Sequence, residues 1–122
     1  MGLELIHFDQ VEPFELAPGA TARPLFGDGA MVNLVELDPG TVVPQHSHRE
    51  EQLGLVLRGQ QVLIVDGVEY PLGAMEGYVI QAGVEHGARF GPEGATVVDV
   101  FQPVREDYRE RWRAAMSEGG TT

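Results

Sequence analysis

Residues 40–59 read GTVVPQHSHREEQLGLVLRG, and two histidines near the middle of this stretch, His46 and His48, are separated by one residue. Alternate residues of an extended strand point to the same side, so both imidazoles share one face. Gln52 and Gly54 have the same parity. If the chain continues as a strand or doubles back through a short turn, the two imidazoles and the Gln52 amide converge, and Gly54 leaves space beside them.

A third histidine stands in a second informative stretch, YVIQAGVEHGA, residues 78–88. His86 follows the turn signal Ala82-Gly83, which can bring it toward the first pair from a later strand. A single His-x-His pair is weak evidence for a metal, because a lone histidine is usually a surface residue or a satisfied core residue. Three histidines in a chain rich in turns are a stronger indication, which still needs a fold to support it.

The distribution of glycine and proline indicates an all-β protein. Sixteen glycines and eight prolines divide the chain into short apolar runs, as in sandwiches and barrels. Turn signals stand at residues 28–29, 38–40, 58–59, 66–67, 72–73, 82–83, 91–92 and 93–94. The strands predicted between them are residues 31–37, 52–57, 61–65, 78–80 and 96–101.

The clearest hairpin joins residues 62–65 to residues 68–70 through Asp66-Gly67, because a type I′ turn needs positive φ at both central positions. The end of the chain differs. Residues 105–116 contain no glycine or proline, and Tyr108, Trp112 and Ala115 recur at helical spacing. We expect a short helix whose apolar face docks on the barrel, followed by a polar, flexible tail at residues 117–122.

Length and charge limit the classes of function. The chain has 122 residues, which is typical of one domain, so we expect a single domain over residues 1–122. Nineteen acidic and eight basic residues give a formal charge of −11, which excludes a general nucleic-acid surface and argues against an anionic membrane partner. No apolar run approaches the ~20 residues of a membrane span and no signal-peptide pattern occurs, so we expect a cytoplasmic protein. Without cysteine, any metal must bind histidine, carboxylate or amide groups.

The two histidine-bearing stretches resemble the two sequence motifs of cupins. Residues 40–59 are similar to the first motif, which has a glycine, a His-x-His pair, an acidic or amide ligand and a closing glycine, and residues 78–88 look like the second. The resemblance implies a double-stranded β-helix, or jelly roll, followed here by the C-terminal helix. It also implies that His46, His48, Gln52 and His86 bind one divalent metal ion inside the barrel.

The chain departs from the usual motifs at several positions. Gln52 takes the place of the common glutamate, as in a His–Gln subgroup of small bacterial cupins that it resembles, and Glu51 lies one residue early. Met75-Glu76 and Gln81 stand where the second motif commonly has Gly-Asp and Pro. None of these changes removes a ligand, although a degenerate, metal-free cupin stays an alternative. Ni, Zn, Mn, Fe and Co all suit such ligands. The neutral ligand set leaves the ion its full charge and favours anionic substrate oxygens.

A second group of candidate residues lies at the end of the last predicted strand, in Asp99-Val-Phe101-Gln-Pro103-Val-Arg105. Parity places Asp99 and Phe101 on one face without saying which, and a surface aspartate, a core phenylalanine and a capping arginine are the plain alternative. The pattern is similar to the strand end of the cupins of pectin and alginate breakdown that linearise 4,5-unsaturated monouronates. The similarity implies that Asp99 moves the proton, that Arg105 pairs bidentately with the substrate carboxylate, and that Phe101 walls the pocket. Arg23 is a candidate second partner of that carboxylate, and a surface arginine is its plainer interpretation.

The function implied by these resemblances is that of a metal-dependent isomerase or lyase type of enzyme, which converts unsaturated monouronates to ketouronates. A cupin dioxygenase, a polyketide cyclase and a non-catalytic small-ligand-binding cupin stay open, because one fold hosts many chemistries. The absence of a carboxylate ligand weakens the dioxygenase alternative. We expect a homodimer paired through an edge strand, and neither a nucleic-acid nor a membrane partner.

Overall fold

The computed structural model describes residues 2–120, which form eight strands and one long helix. In chain order the elements are a short 3-10 helix (Phe8–Gln10), β1 (Phe14–Ala17), β2 (Ala20–Phe26), β3 (Met31–Leu37), β4 (Val42–His46), β5 (Glu51–Val65), β6 (Val68–Leu72), β7 (Gly77–Ile80), β8 (His86–Gln102) and α1 (Glu106–Gly120).

All strand pairings are antiparallel, and two long strands organise them. The main sheet has the order β1-β2-β3-β8-β5-β6, while β4 pairs with β8 and β7 pairs with β5. Thus β5 and β8 each have three partner strands, and they close the sheet around a common interior. The expected jelly roll with a C-terminal helix is confirmed.

Some glycine pairs that predict turns are instead irregularities within a strand. The predicted strands 52–57 and 61–65 are one strand, β5, and the turn signal at residues 58–59 lies inside it. Gly59 has φ +84°, and a Cβ there would overlap the carbonyl oxygen of Gly94 on β8. The signals at residues 91–94 also fall within one strand, β8. These turn predictions were wrong because glycine at positive φ serves bulges as well as turns.

The irregularity in β5 changes which residues face the interior. Val56 pairs with Val97 and Arg58 pairs with Thr96, so Leu57 is an extra residue on β5. Before the bulge the even-numbered positions point inward, as the complete burial of Val56 shows. Beyond it the alternation is reversed, and Gln61 points inward.

The predicted hairpin is confirmed, whereas three strands were not predicted. Val65 pairs with Val68 across Asp66-Gly67, and both turn residues have positive φ. Strands β1, β2 and β4 were missed because they are short, polar or interrupted by proline. Pro24 is tolerated in β2 because β1 pairs only with residues 20–22, so β2 has a free edge beside Pro24.

Helix α1 docks on the barrel as expected. Tyr108, Trp112 and Ala115 pack against the buried core, with the rings of Phe14 and Tyr108 6.0 Å apart. The Trp112 indole also donates a hydrogen bond of 2.7 Å to the Glu12 carbonyl. The helix continues through residues 117–120 of the expected polar tail, and residues 121–122 lie outside the described part of the chain. Within the described residues, no helix has both the length and the apolar character needed to cross a bilayer.

Candidate metal centre and adjoining cavity

The three histidines singled out from the sequence meet at one point inside the barrel. His46 ends β4, His86 begins β8, and the two residues are directly paired across these strands. His48 lies in the connection between β4 and β5. One ring nitrogen of each histidine lies within 4.8 Å of those of the other two. This spacing fits three ligands around a single ion.

The backbone holds each imidazole in one orientation. Nδ1 of His46 lies 2.9 Å from the Pro44 carbonyl oxygen, and Nδ1 of His86 lies 2.9 Å from that of Val84. Nδ1 of His48 lies 3.0 Å from the Glu50 carbonyl oxygen. A carbonyl only accepts, so the proton of each neutral ring is fixed on Nδ1 and the Nε2 lone pair is left free. Such contacts commonly orient metal-binding histidines.

Gln52 presents its amide oxygen to the same point. Its Nε2 donates a 3.2 Å hydrogen bond to Oδ1 of Asp99, which fixes the amide so that Oε1 faces His48. Oε1 lies 3.1 Å from Nε2 of His48. Both atoms are acceptors when the His48 proton is on Nδ1, and a cation between their lone pairs would make this approach favourable.

The burial of the ligands supports the same conclusion. Among the described residues, Nε2 of His86 is buried and has no hydrogen-bond partner, a costly arrangement that a bound ion would resolve. Burial lowers the pKa of His48 and of His86. Both rings are therefore neutral near pH 7, as metal ligands must be. The residues present thus fit a divalent metal ion held by His46, His48, His86 and Gln52.

Two carboxylates lie directly behind this neutral ligand set. Asp99 accepts the hydrogen bond of Gln52, and Oε1 of the buried Glu50 lies 3.8 Å from Nδ1 of His48. The ligands themselves add no negative charge, as the sequence indicates. The charge of a bound ion is nevertheless partly balanced one residue further out, so the site is less electropositive than the ligands alone suggest.

Asp99 faces the interior of the barrel, whereas the alternation of residues along the strand does not decide between the interior and solvent. Burial raises the pKa of Asp99 to about 6, although the hydrogen bonds from Gln52 and Tyr78 and the charge of Arg105 favour the carboxylate. The Tyr78 hydroxyl donates to Oδ1 at 3.3 Å, and no described residue donates to Oδ2. Asp99 therefore combines a pKa close to neutrality with one oxygen free to exchange a proton.

Tyr78 and Gln61 belong to the site and were missed in the sequence. Nε2 of Gln61 donates to the Tyr78 hydroxyl at 3.3 Å. Gly54 pairs with Tyr78 across β5 and β7, and a Cβ at Gly54 would occupy the space of the Tyr78 ring. The space that Gly54 provides is thus used by Tyr78. Tyr78 opens the second motif stretch, but its partners come from distant positions that no local pattern reveals.

Arg105 and Phe101 also line the interior. The Arg105 guanidinium stacks on the Tyr108 ring at 3.7 Å and lies 5.1 Å from the Phe101 ring centroid. Its Nε and Nη2 donate to the two carboxylate oxygens of Asp107, at 3.2 and 2.8 Å. Burial alone would raise the pKa of Asp107, but the hydrogen bonds and charge of Arg105 outweigh it and lower that pKa. The edge of Arg105 expected to bind a substrate carboxylate is therefore partly used within the chain.

Arg23 is not brought to this group. It lies on β2 between the buried residues Ala22 and Pro24, and its Nε donates to the Val11 carbonyl at 3.2 Å. Its side chain therefore holds the N-terminal segment on the outer face of the sheet. The structure supports the surface interpretation of Arg23.

A cavity of about 120 Å³ adjoins the ligand cluster. Its polar lining residues include His46, His86, Gln52, Asp99 and Arg105, and most of the other lining residues are apolar. One buried water needs about 10–15 Å³ measured in this way, so the cavity has room for roughly ten non-hydrogen atoms. The site is therefore suited to a small polar molecule.

Solved structures of known proteins share this architecture. An RmlC-like cupin from Shewanella frigidimarina NCIMB 400 is 30% identical in sequence, with 88% of this chain and 96% of that chain covered and a TM-score of 0.80. KdgF from Halomonas sp. is 24% identical, with coverage of 86% and 99% and a TM-score of 0.80. The polyketide cyclase RemF from Streptomyces resistomycificus is 24% identical, with coverage of 84% and 80% and a TM-score of 0.73.

No curated protein sequence matches the chain. The model of the cupin domain family matches residues 33–101, which is more than half of the chain and includes both histidine-bearing stretches. The fold, the two motifs and this match agree, and the chain belongs to the cupin family.

Proposed function

We propose that the protein is a metal-dependent enzyme that linearises 4,5-unsaturated monouronates to ketouronates. The observation that supports this best is the placement of Asp99, Phe101 and Arg105 around the same cavity as the ligand cluster. These are the residues whose spacing resembles the uronate-linearising cupins. A proton carrier, a carboxylate-binding group and a metal centre thus face one small volume.

The metal would be held by His46, His48, Gln52 and His86. When bound, it supplies Lewis-acid polarisation of substrate oxygens. The Nδ1 contacts of the three imidazoles and the Gln52–Asp99 hydrogen bond keep these ligands in position before substrate arrives. Little reorganisation is then needed during the reaction.

Asp99 carries the proton in this proposal. The free Oδ2 accepts the proton of the hydroxyl on C1 of the sugar, the C1–O5 bond breaks, and C1 becomes an aldehyde. The electron pair left on O5 forms a carbonyl at C5 as the C4=C5 double bond takes up a proton at C4. Asp99 returns its proton to C4, so the reaction is an isomerisation with no atom gained or lost. A carboxyl with a pKa of about 6 suits both halves of this transfer.

Arg105 binds the substrate carboxylate, and Phe101 limits its position. Nε and one hydrogen of Nη2 are engaged by Asp107, which leaves Nη1 and the second Nη2 hydrogen for the ligand. The Phe101 ring packs edge-on against His48 at 5.5 Å and against Tyr108 at 5.7 Å. The carboxylate-binding group is thus held on aromatic faces rather than on a mobile loop.

The size of the cavity favours this substrate over a polyketide. A monouronate has about a dozen non-hydrogen atoms, close to what about 120 Å³ accommodates. A multi-ring polyketide has roughly two to three times as many non-hydrogen atoms, more than this cavity accommodates.

The test is a direct assay of the purified, metal-loaded protein. The conjugated double bond of a 4,5-unsaturated galacturonate or mannuronate monomer absorbs ultraviolet light, and this absorbance should fall faster with protein than without it. Arg105→Ala should chiefly raise KM, whereas the exposed Arg113→Ala should change nothing. If the wild-type protein with stoichiometric metal gives no acceleration, uronate linearisation is rejected. Oxygen consumption with a catechol-type or flavonol substrate would then support a dioxygenase.

A further inference from the structure

The hydrogen bonds beside the metal centre form a chain with a fixed direction. An ionised carboxylate can only accept, so both groups that contact Oδ1 of Asp99 must donate to it: the Gln52 amide and the Tyr78 hydroxyl. The Tyr78 hydroxyl has one hydrogen, and Asp99 takes it. The Tyr78 oxygen must therefore accept from Gln61, which donates through Nε2 at 3.3 Å.

This direction determines where the two amide oxygens point. At one end of the chain, Oε1 of Gln52 faces His48 and the metal centre. At the other end, the Gln61 amide donates to Tyr78 through its nitrogen, so its Oε1 takes no part in the chain of hydrogen bonds. Asp99 thus orients two carbonyl oxygens, one through a direct contact and one through Tyr78.

The oxygen of Gln61 has no partner among the described residues. Gln61 is 3% exposed, its Oε1 is buried without a hydrogen bond, and the residue lines the cavity. The neighbouring lining residues Leu63 and Phe90 are apolar and cannot donate to it. An unpaired buried acceptor is destabilising, so its presence beside a cavity needs a reason.

The other unpaired buried amide does not share this position. Asn33 is completely buried, and neither its nitrogen nor its oxygen has a partner among the residues that the structure describes. It is not among the residues that line the cavity. Gln61 differs because it lines the cavity, where a bound molecule is its neighbour.

We infer that Oε1 of Gln61 accepts a hydrogen bond from a substrate hydroxyl, and that Gln61 is a specificity-determining residue for polyhydroxylated acids. That the ligand is a sugar acid rests on the proposed function. Tyr78 is a positioning residue, because its hydroxyl fixes the Gln61 amide. The site then recognises its ligand at three places: the metal centre, Arg105, and the hydroxyl acceptor Gln61.

The experiment compares two stable ligands that differ only in their hydroxyls, galacturonate and tetrahydropyran-2-carboxylate. Calorimetric titration of the Zn²⁺-loaded protein gives the ratio of the two dissociation constants. We expect the wild-type protein to prefer galacturonate, and Gln61→Leu to reduce that preference by about tenfold, since the buried acceptor no longer selects for a donor. Tyr78→Phe should reduce it in part. Gln60→Leu, at the exposed neighbouring position, should leave the ratio unchanged.

A second measurement uses no ligand. Gln61→Leu removes an unpaired acceptor together with one long hydrogen bond, and the Tyr78 hydroxyl keeps Asp99 as its partner, so the melting temperature of the ligand-free protein should change little or rise. A large fall would show that Gln61 has a structural role and would overturn the inference. So would an unchanged ratio in Gln61→Leu, or no galacturonate binding by the wild-type protein. A ratio lost in Gln61→Leu, combined with no turnover of unsaturated uronate, would reject the proposed reaction and leave this inference standing.

Discussion

Asp99→Asn should make the metal-free protein more stable at neutral pH. The pKa of this carboxyl is about 6 in the folded chain, against 3.8 in a solvated reference, because burial disfavours its charge. A raised folded pKa means that the carboxyl favours folding only while it is protonated. Its contribution is complete below pH ~4 and is lost as the pH rises through about 6. Asparagine has the same shape and no charge, so it avoids this loss.

The magnitude follows from the two pKa values. A difference of about 2 units, at 1.36 kcal/mol per unit, amounts to at most ~3 kcal/mol. The difference in free energy of unfolding between Asp99→Asn and wild type should therefore be roughly half of this at pH 5 and reach its full value above pH ~7. Asparagine Oδ1 still accepts from Gln52 and Tyr78, so no hydrogen bond is lost.

Urea unfolding of chelator-treated protein between pH 5 and pH 8 measures this difference. Asp28→Asn is the matched control, because it makes the same change in net charge at an exposed turn. It should show no comparable gain with pH. The metal-loaded Asp99→Asn protein should also lose turnover, since it has no proton carrier. A variant that is less stable than wild type at pH 7.5, or whose gain does not grow with pH, would refute the reasoning.

Four further predictions concern the metal centre, the packing and the assembly. Elemental analysis should find near-stoichiometric metal in the wild-type protein and none in a His48→Ala, His86→Ala double variant, while the exposed His7→Ala retains it. Gly54→Ala should displace the Tyr78 ring and lower the urea midpoint by the equivalent of about 1–3 kcal/mol, whereas Gly29→Ala, which meets no atom, should not. Trp112→Ala removes a ring that packs 5.5 Å from that of Phe26, and should cost about 2–3 kcal/mol in the same assay; an unchanged midpoint would contradict the docking role of α1. We expect two copies to pair along the free edge of β6, so sedimentation should give twice 13.3 kDa, and a monomer mass would reject this pairing.

The sequence predicts much of the fold and the metal ligands for a simple reason. Local signals suffice where a feature depends on neighbouring residues, such as the Asp66-Gly67 turn, the helical spacing of Tyr108 and Trp112, or the parity of His46 and His48. Each of these was found at its predicted place.

The rest depends on contacts between distant parts of the chain or on local patterns that fit more than one structure. Tyr78 and Gln61 are 17 residues apart, and their side chains meet although the strand partner of Tyr78 is Gly54 rather than Gln61. The pairing of Arg105 with Asp107 was also missed, because a resemblance names a residue without showing which of its donors are already engaged. The glycines at residues 58–59 and 91–94 led to wrong turn predictions, because glycine is favoured both in turns and in bulges within a strand.

The extra residue at Leu57 changes which positions of β5 face the interior. Even-numbered positions before it, including Gln52, face inward, and odd-numbered positions after it, including Gln61, face inward. Deleting Leu57 would leave Arg58 as the single outward residue between Val56 and Gly59, so Gln61 would still face the interior. Gln52 and Gln61 would then lie one residue closer along the strand, by about 3.3 Å. The extra residue thus sets the spacing between the metal centre and the hydroxyl acceptor, and its deletion would change that spacing without changing any residue of either.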